Sequence, residues 1–105
     1  MLYDEQSGHG SLLEGVEFDA VNNKVSIRLL SYPAHDAPQR IPIEIAFSDV
    51  ISVAMQTDMV QLAMNRCAGN VNHWRIAEGP GTSYFYLVEG YVAVTSQSAP
   101  ALKTP

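Results

Sequence analysis

The residue types that most often carry out catalysis are scarce in this chain, whose 105 residues include three His and one Cys. His35 and Asp36 are adjacent, and a His beside a carboxylate can serve as a general base or a metal ligand. Neighbouring side chains of an extended segment point in opposite directions, however, so adjacency alone does not form a dyad. We interpret the pair as polar loop residues. A small enzyme with a cleft near His35, Asp36 and His73 is the alternative.

Other patterns that could indicate a reactive site have simpler structural interpretations. Cys67 lies on the apolar stripe of a predicted helix, so we expect it to be buried and structural rather than a nucleophile paired with His73. The Gly-Pro-Gly at 79–81 precedes a predicted strand, whereas a phosphate site needs a helix N-terminus there. Metal-binding spacings such as H-x-x-x-H are absent. We therefore expect no catalytic residue, no metal and no cofactor.

Aromatic residues concentrate in one stretch, from residue 69 to residue 94, which holds the single Trp and three of the five Tyr. Tyr and Trp are enriched at protein interfaces because they combine a large apolar ring with a polar group. Packing under a helix or a second sheet is the other interpretation. We expect an interaction surface formed by Trp74, Tyr84, Tyr86 and Tyr91.

Two predicted hairpins decide which side chains share a face. A two-residue turn at Asn22-Asn23 would set Phe18 opposite Ile27, with both buried, and Glu17 opposite Arg28. A turn at Glu89-Gly90 would set Leu87 opposite Val92 and Phe85 opposite Val94, on the face away from the three Tyr residues. The aliphatic face is the better core because it buries no hydroxyl group.

The middle of the chain predicts one helix and one further strand. Asp58 followed by Gln61 resembles a capping box, and an apolar stripe ends before Gly69, so we predict a helix at 59–68. The segment 41–47 alternates as a strand, and Pro42 indicates either an edge strand or a strand whose start is unpaired. The pattern at 48–57 fits both a strand and a helix.

These elements predict an α+β fold that is mostly antiparallel. We expect a curved sheet or partly open barrel of about six to seven strands, with the single helix packed on it. The domain would span residues 12–95, between flexible segments at 1–11 and 96–105.

Composition narrows the classes of function. A net charge of -5 and a pI of about 4.9 disfavour binding to nucleic acid or to an anionic membrane surface. The chain has no signal-peptide pattern and no apolar run of the roughly 18 residues that a membrane span needs, so we expect a cytoplasmic protein. The predicted function is a non-catalytic binding or self-assembling module that forms a homodimer or binds another protein. A small-ligand carrier is a further alternative.

Overall fold

Two antiparallel four-stranded sheets make up most of the fold. The computed structural model describes residues 8–34 and 36–104. The first sheet has the strand order β1-β2-β3-β8 and the second the order β4-β7-β6-β5. The elements in chain order are β1 (Leu12–Asp19), β2 (Lys24–Ser31), β3 (Ile41–Phe47), β4 (Val50–Gln56), α1 (Met59–Met64), β5 (Val71–Arg75), β6 (Gly81–Leu87), β7 (Gly90–Ser96) and β8 (Ala101–Lys103).

The core lies between the inner faces of the two sheets. Alternate residues of β2 and β3 are buried, as are alternate residues of β6 and β7, which is the period-2 pattern of half-buried strands. Phe47 of the first sheet and Phe85 of the second meet edge to face with their ring centroids 6.3 Å apart. The aliphatic face of the second hairpin is therefore the core face, as predicted.

The predicted class, mostly antiparallel α+β with one short helix, is confirmed for the described residues. They contain eight strands rather than six or seven, and the two sheets do not close into a barrel. No helix within them is long and apolar enough to cross a membrane.

The first hairpin turns one residue earlier than predicted, and this error matters for Phe18. Asp19 pairs with Lys24, so Phe18 lies opposite Val25 instead of Ile27. The Asp19 carboxylate accepts hydrogen bonds from the N–H groups of Val21 and Asn22, which favours a four-residue loop. The side-chain amide of Asn22 also donates a hydrogen bond to the Asp19 carboxylate. This side-chain hydrogen bond, followed by the backbone hydrogen bonds, lowers the pKa of Asp19.

The prediction that Phe18 is buried is wrong. Its side chain is 56% exposed. Phe18 stands near the end of β1, which is an edge strand paired only with β2, and its neighbours Glu17 and Asp19 are exposed as well. The predicted contact between Glu17 and Arg28 does form, with Oε1 and Nε 3.0 Å apart, although the two residues are diagonal rather than opposite.

The helix begins where predicted and ends earlier. Asp58 is the N-cap, and its carboxylate accepts a hydrogen bond from the Gln61 N–H at 3.0 Å. At the other end Asn65 donates from both its backbone and its side chain to the Gln61 carbonyl, so α1 ends at Met64 rather than 68. Cys67 lies beyond the helix and is exposed, so the prediction of a buried cysteine is wrong.

The remaining segments settle two open alternatives. The residues at 48–57 form a strand, β4, and not a helix. β3 is not an edge strand, because it pairs with β2 along its length and with β8 at residues 44–46. At Pro42, near the start of β3, β2 is the one strand among the described residues that pairs with it, which agrees with the alternative prediction of an unpaired start. The segment predicted to be a flexible tail contains β8, while the domain limits at 12 and 95 stay a prediction.

Candidate interaction surface

The outer face of the second sheet carries the three predicted tyrosines. In the β6–β7 hairpin Leu87 pairs with Gly90, so Tyr86 lies opposite Tyr91 and Phe85 opposite Val92. The register differs from the predicted one by two residues, and a shift of two leaves every side chain on its predicted face. Phe85 is fully buried, whereas Tyr91 is 39% exposed.

Three aromatic rings of this face form a continuous stack. The rings of Tyr84 and Tyr86 are nearly parallel, at 10°, with centroids 5.7 Å apart. The His73 ring stacks on Tyr86 from the neighbouring strand β5, at 4.4 Å and 22°. His73 covers one face of the Tyr86 ring, whereas the parallel Tyr84 ring, with its centroid 5.7 Å away, is offset from Tyr86. The rings offer a partner both apolar ring surface and hydroxyl groups.

Most side chains around the stack are small, and nearly all of them are uncharged. The strand register places eleven residues on this outer face, and none of them is Asp or Glu although the chain carries eleven acidic residues. Arg75 is the one permanently charged member. The eleven residues, which we call the outer face, are Ser52, Ala54, Gln56, His73, Arg75, Thr82, Tyr84, Tyr86, Tyr91, Ala93 and Thr95.

Trp74 does not belong to the outer face, although the sequence placed it there. It pairs with Phe85, is 3% exposed, and meets the Phe85 ring edge to face at 6.2 Å. Gly8 lies directly against the indole, at a distance that leaves no room for a β-carbon. Trp74 therefore supports the sheet from its inner side and is not available to a partner.

The residues of the alternative catalytic site are not brought together in the described structure. Asp36 is exposed in the loop between β2 and β3, and His73 stacks on Tyr86 on the outer face of the second sheet. His35 lies outside the described residues. In the described part of the chain no group of three His, Cys, Asp or Glu side chains could hold a metal ion.

The interior offers little to the ligand-carrier alternative. The inner faces are filled by apolar side chains in mutual contact. A depression of about 440 Å³ lies on the outer face of the first sheet, beside Arg28, Glu44 and Lys103. Two of these residues are paired, with the Lys103 Nζ and a Glu44 oxygen 3.7 Å apart, so their charges are already partly neutralised.

The sequence did not predict two features of the second sheet and of the helix that follows β4. The first is His73, which the pattern placed in a possible cleft and which the structure places in the aromatic stack. The second is a group of exposed apolar side chains on β4 and α1, with exposed fractions from 45% to 72%: Ile51, Met55, Met59, Val60 and Met64.

Comparison with protein-family profiles, with characterised proteins and with solved structures gave no significant match.

Proposed function

We propose that this protein is a non-catalytic interaction module whose outer face binds a second copy of the chain. The observation that carries the proposal is the stack of His73, Tyr86 and Tyr84 beside the exposed Tyr91. Aromatic residues that are only partly covered in a monomer are typical of surfaces that a partner covers.

The charge distribution supports a second copy as the partner. Two molecules that each carry a charge of -5 repel one another over most of their surfaces. The outer face is free of acidic residues, so two such faces can meet without opposing carboxylates. A two-fold arrangement needs only this one surface, because the same patch serves both molecules.

The size of the outer face predicts a weak dimer. Four strands about 4.8 Å apart and roughly 20 Å long give a projected area of about 400 Å² per molecule. A stable interface of standard size buries about 800 Å² per partner. We therefore expect dissociation in the micromolar range or above, and the measurement has to span about 10 μM to about 1 mM.

Sedimentation velocity of two variants tests the proposal. Tyr86→Glu places a carboxylate in the middle of the contact and should weaken dimerisation by at least about tenfold while the fold is retained. Gln39→Glu adds the same charge at an exposed loop position in the other half of the molecule and should leave dimerisation unchanged. If both variants dimerise like the wild type, the outer face is not the contact.

A further inference from the structure

The edge strand β4 differs from the other three sheet edges because it carries no charged residue. Its sequence is VISVAMQ over Val50–Gln56. The other edges are β1, β5 and β8, and each contains charged side chains, including Glu17, Arg75 and Lys103. Charged residues on an edge strand normally prevent it from pairing with another molecule. β4 lacks this protection.

Beyond its first residue, the backbone of β4 is unpaired on the side away from β7 within the described part of the chain. The start of the strand is held by the Val50 N–H, which donates to the Asn23 carbonyl at 2.9 Å. From Ser52 to Gln56, β7 is the only strand among the described residues that pairs with β4. An unpaired edge presents a row of N–H and C=O groups that match another extended strand.

Exposed apolar side chains follow the same edge. Ile51 is 62% exposed and Met55 45%. Met59, at the start of the helix that follows, is 72% exposed and lines the same groove as Met55. Unpaired backbone and exposed apolar side chains are independent observations, and both suit an extended apolar segment as a partner for this edge.

We propose that the occupant is β4 of a second copy, paired antiparallel about a two-fold axis at Ala54, so that two four-stranded sheets join into one of eight strands. In an antiparallel pair, residues directly opposite each other share a face of the sheet. When a strand pairs with a second copy of itself, the two-fold axis must therefore pass through a residue and not between two residues. Centring on Ala54 places a small side chain at the axis. It also sets Met55 opposite Val53 of the second copy and covers its exposed side chain.

Charge favours the same strand as the occupant. In this register no ionised side chain within β4 faces another, even though each molecule carries a charge of -5. The acidic residues that flank the strand are Asp49, directly before Val50, and Asp58, two residues after Gln56; in this register Asp58 would lie opposite Val50 of the second copy and beside its Asp49. Self-pairing therefore confines like-charge contacts to the two ends of the pair, whereas β1 carries three carboxylates within the strand itself.

This edge contact is separate from the outer-face contact proposed above. It uses the rim of the second sheet and leaves the outer faces of both molecules uncovered, side by side on one surface of the joined sheet. Tyr86→Glu should therefore leave the edge contact intact, and the sedimentation comparison of the outer face is made in a Met55→Lys background, in which the edge contact is removed.

Disulfide trapping tests the edge contact directly. In a Cys67→Ser, Tyr86→Glu background, in which the outer-face contact is removed, Ala54→Cys should form an intermolecular disulfide in the native protein, because opposite α-carbons in an antiparallel pair are about 4.5–5.5 Å apart, within the range of a disulfide. Ala93→Cys is the control. It lies on β7, one strand inward, so three strand spacings of about 4.8 Å, or about 14 Å, would separate its two copies.

A second substitution distinguishes pairing from random collision. Met55→Lys places a charge on the exposed side chain beside Ala54 and should slow disulfide formation by Ala54→Cys at least about tenfold, whereas Gln39→Lys should not. Circular dichroism checks that each variant is folded. Trapping at position 93, with or without trapping at 54, would assign self-association to the outer face, which contains both residues, and would overturn the edge contact. Trapping at neither position, or trapping at 54 that Met55→Lys does not slow, would also overturn it.

Discussion

Asn70 is the polar residue whose removal should weaken the fold most. Its side chain is completely buried. Oδ1 accepts a hydrogen bond from the Leu13 N–H at 2.8 Å, and Nδ2 donates to the Leu62 carbonyl at 2.9 Å. Its backbone N–H donates to Ser11, and its carbonyl accepts from Val88. One residue thus connects the start of β1, the helix and the hairpin between β6 and β7.

Asn70→Ala should lower the free energy of unfolding by about 2–4 kcal/mol. The substitution leaves the Leu13 N–H and the Leu62 carbonyl without partners, and each unsatisfied group costs about 1–3 kcal/mol when buried. A groove of about 390 Å³ extends to Asn70, so water can reach the vacated space and reduce the loss. The two groups together would cost about 2–6 kcal/mol, and because water can enter we expect the lower part of that range.

Asn70→Asp supplies a signature that a simple loss of packing would not give. The introduced carboxyl keeps an acceptor for the Leu13 N–H, but as a carboxylate it opposes the Leu62 carbonyl. Burial raises its folded-state pKa above the unfolded value of about 3.9. The ionised form is therefore destabilising above the folded-state pKa, and the penalty should fade as the pH falls through it, because the protonated acid can donate to Leu62.

Urea unfolding followed by the fluorescence of the single, buried Trp74 measures these effects. Asn72→Ala is the matched control: its side chain makes one long contact, 3.4 Å to the Leu87 carbonyl, and should cost no more than about 0.5 kcal/mol. A loss below about 1 kcal/mol for Asn70→Ala, or one equal to that of Asn72→Ala, would show that the two side-chain hydrogen bonds of Asn70 do not stabilise the fold.

Two further predictions concern side chains whose positions the structure corrects. Phe18→Ala should cost no more than about 1.5 kcal/mol, since over half of the ring is exposed, whereas Phe85→Ala in the core should cost about 3–5 kcal/mol; equal losses in urea unfolding would contradict the exposed position of Phe18. Cys67 should react with a thiol reagent in the native protein at a rate close to that of a free thiol, and a reaction that requires denaturant would show that it is covered.

Alternation along the strands predicted the faces well, and turn chemistry predicted the registers less well. Both hairpins were displaced by two residues in their pairing, which preserves faces because side chains alternate with a period of two. The Tyr residues therefore lie where the pattern put them. Phe18 illustrates the remaining error, because alternation identifies the side of the sheet but not how far the opposing sheet extends over it.

Trp74 was misplaced for a different physical reason. The sequence gives the alternation within β5, but the register of β5 against β6 depends on the longer connection at 76–80 and on an irregularity between Val71 and His73. The connection sets Trp74 opposite Phe85 on the inner face, and the irregularity brings Val71 to that face as well. Cys67 was misplaced because the apolar stripe continues past the point where Asn65 closes the helix.

A dilution series of aromatic NMR spectra measures whether the outer face forms the contact in a homodimer. Between about 1 mM and about 10 μM, the ring signals of Tyr84, Tyr86 and Tyr91 should shift together along one binding curve. Tyr32, in the loop beside Arg40, should not follow that curve. Ring signals that stay constant throughout the series, in a sample whose sedimentation shows a monomer at its highest concentration, would contradict the outer-face contact.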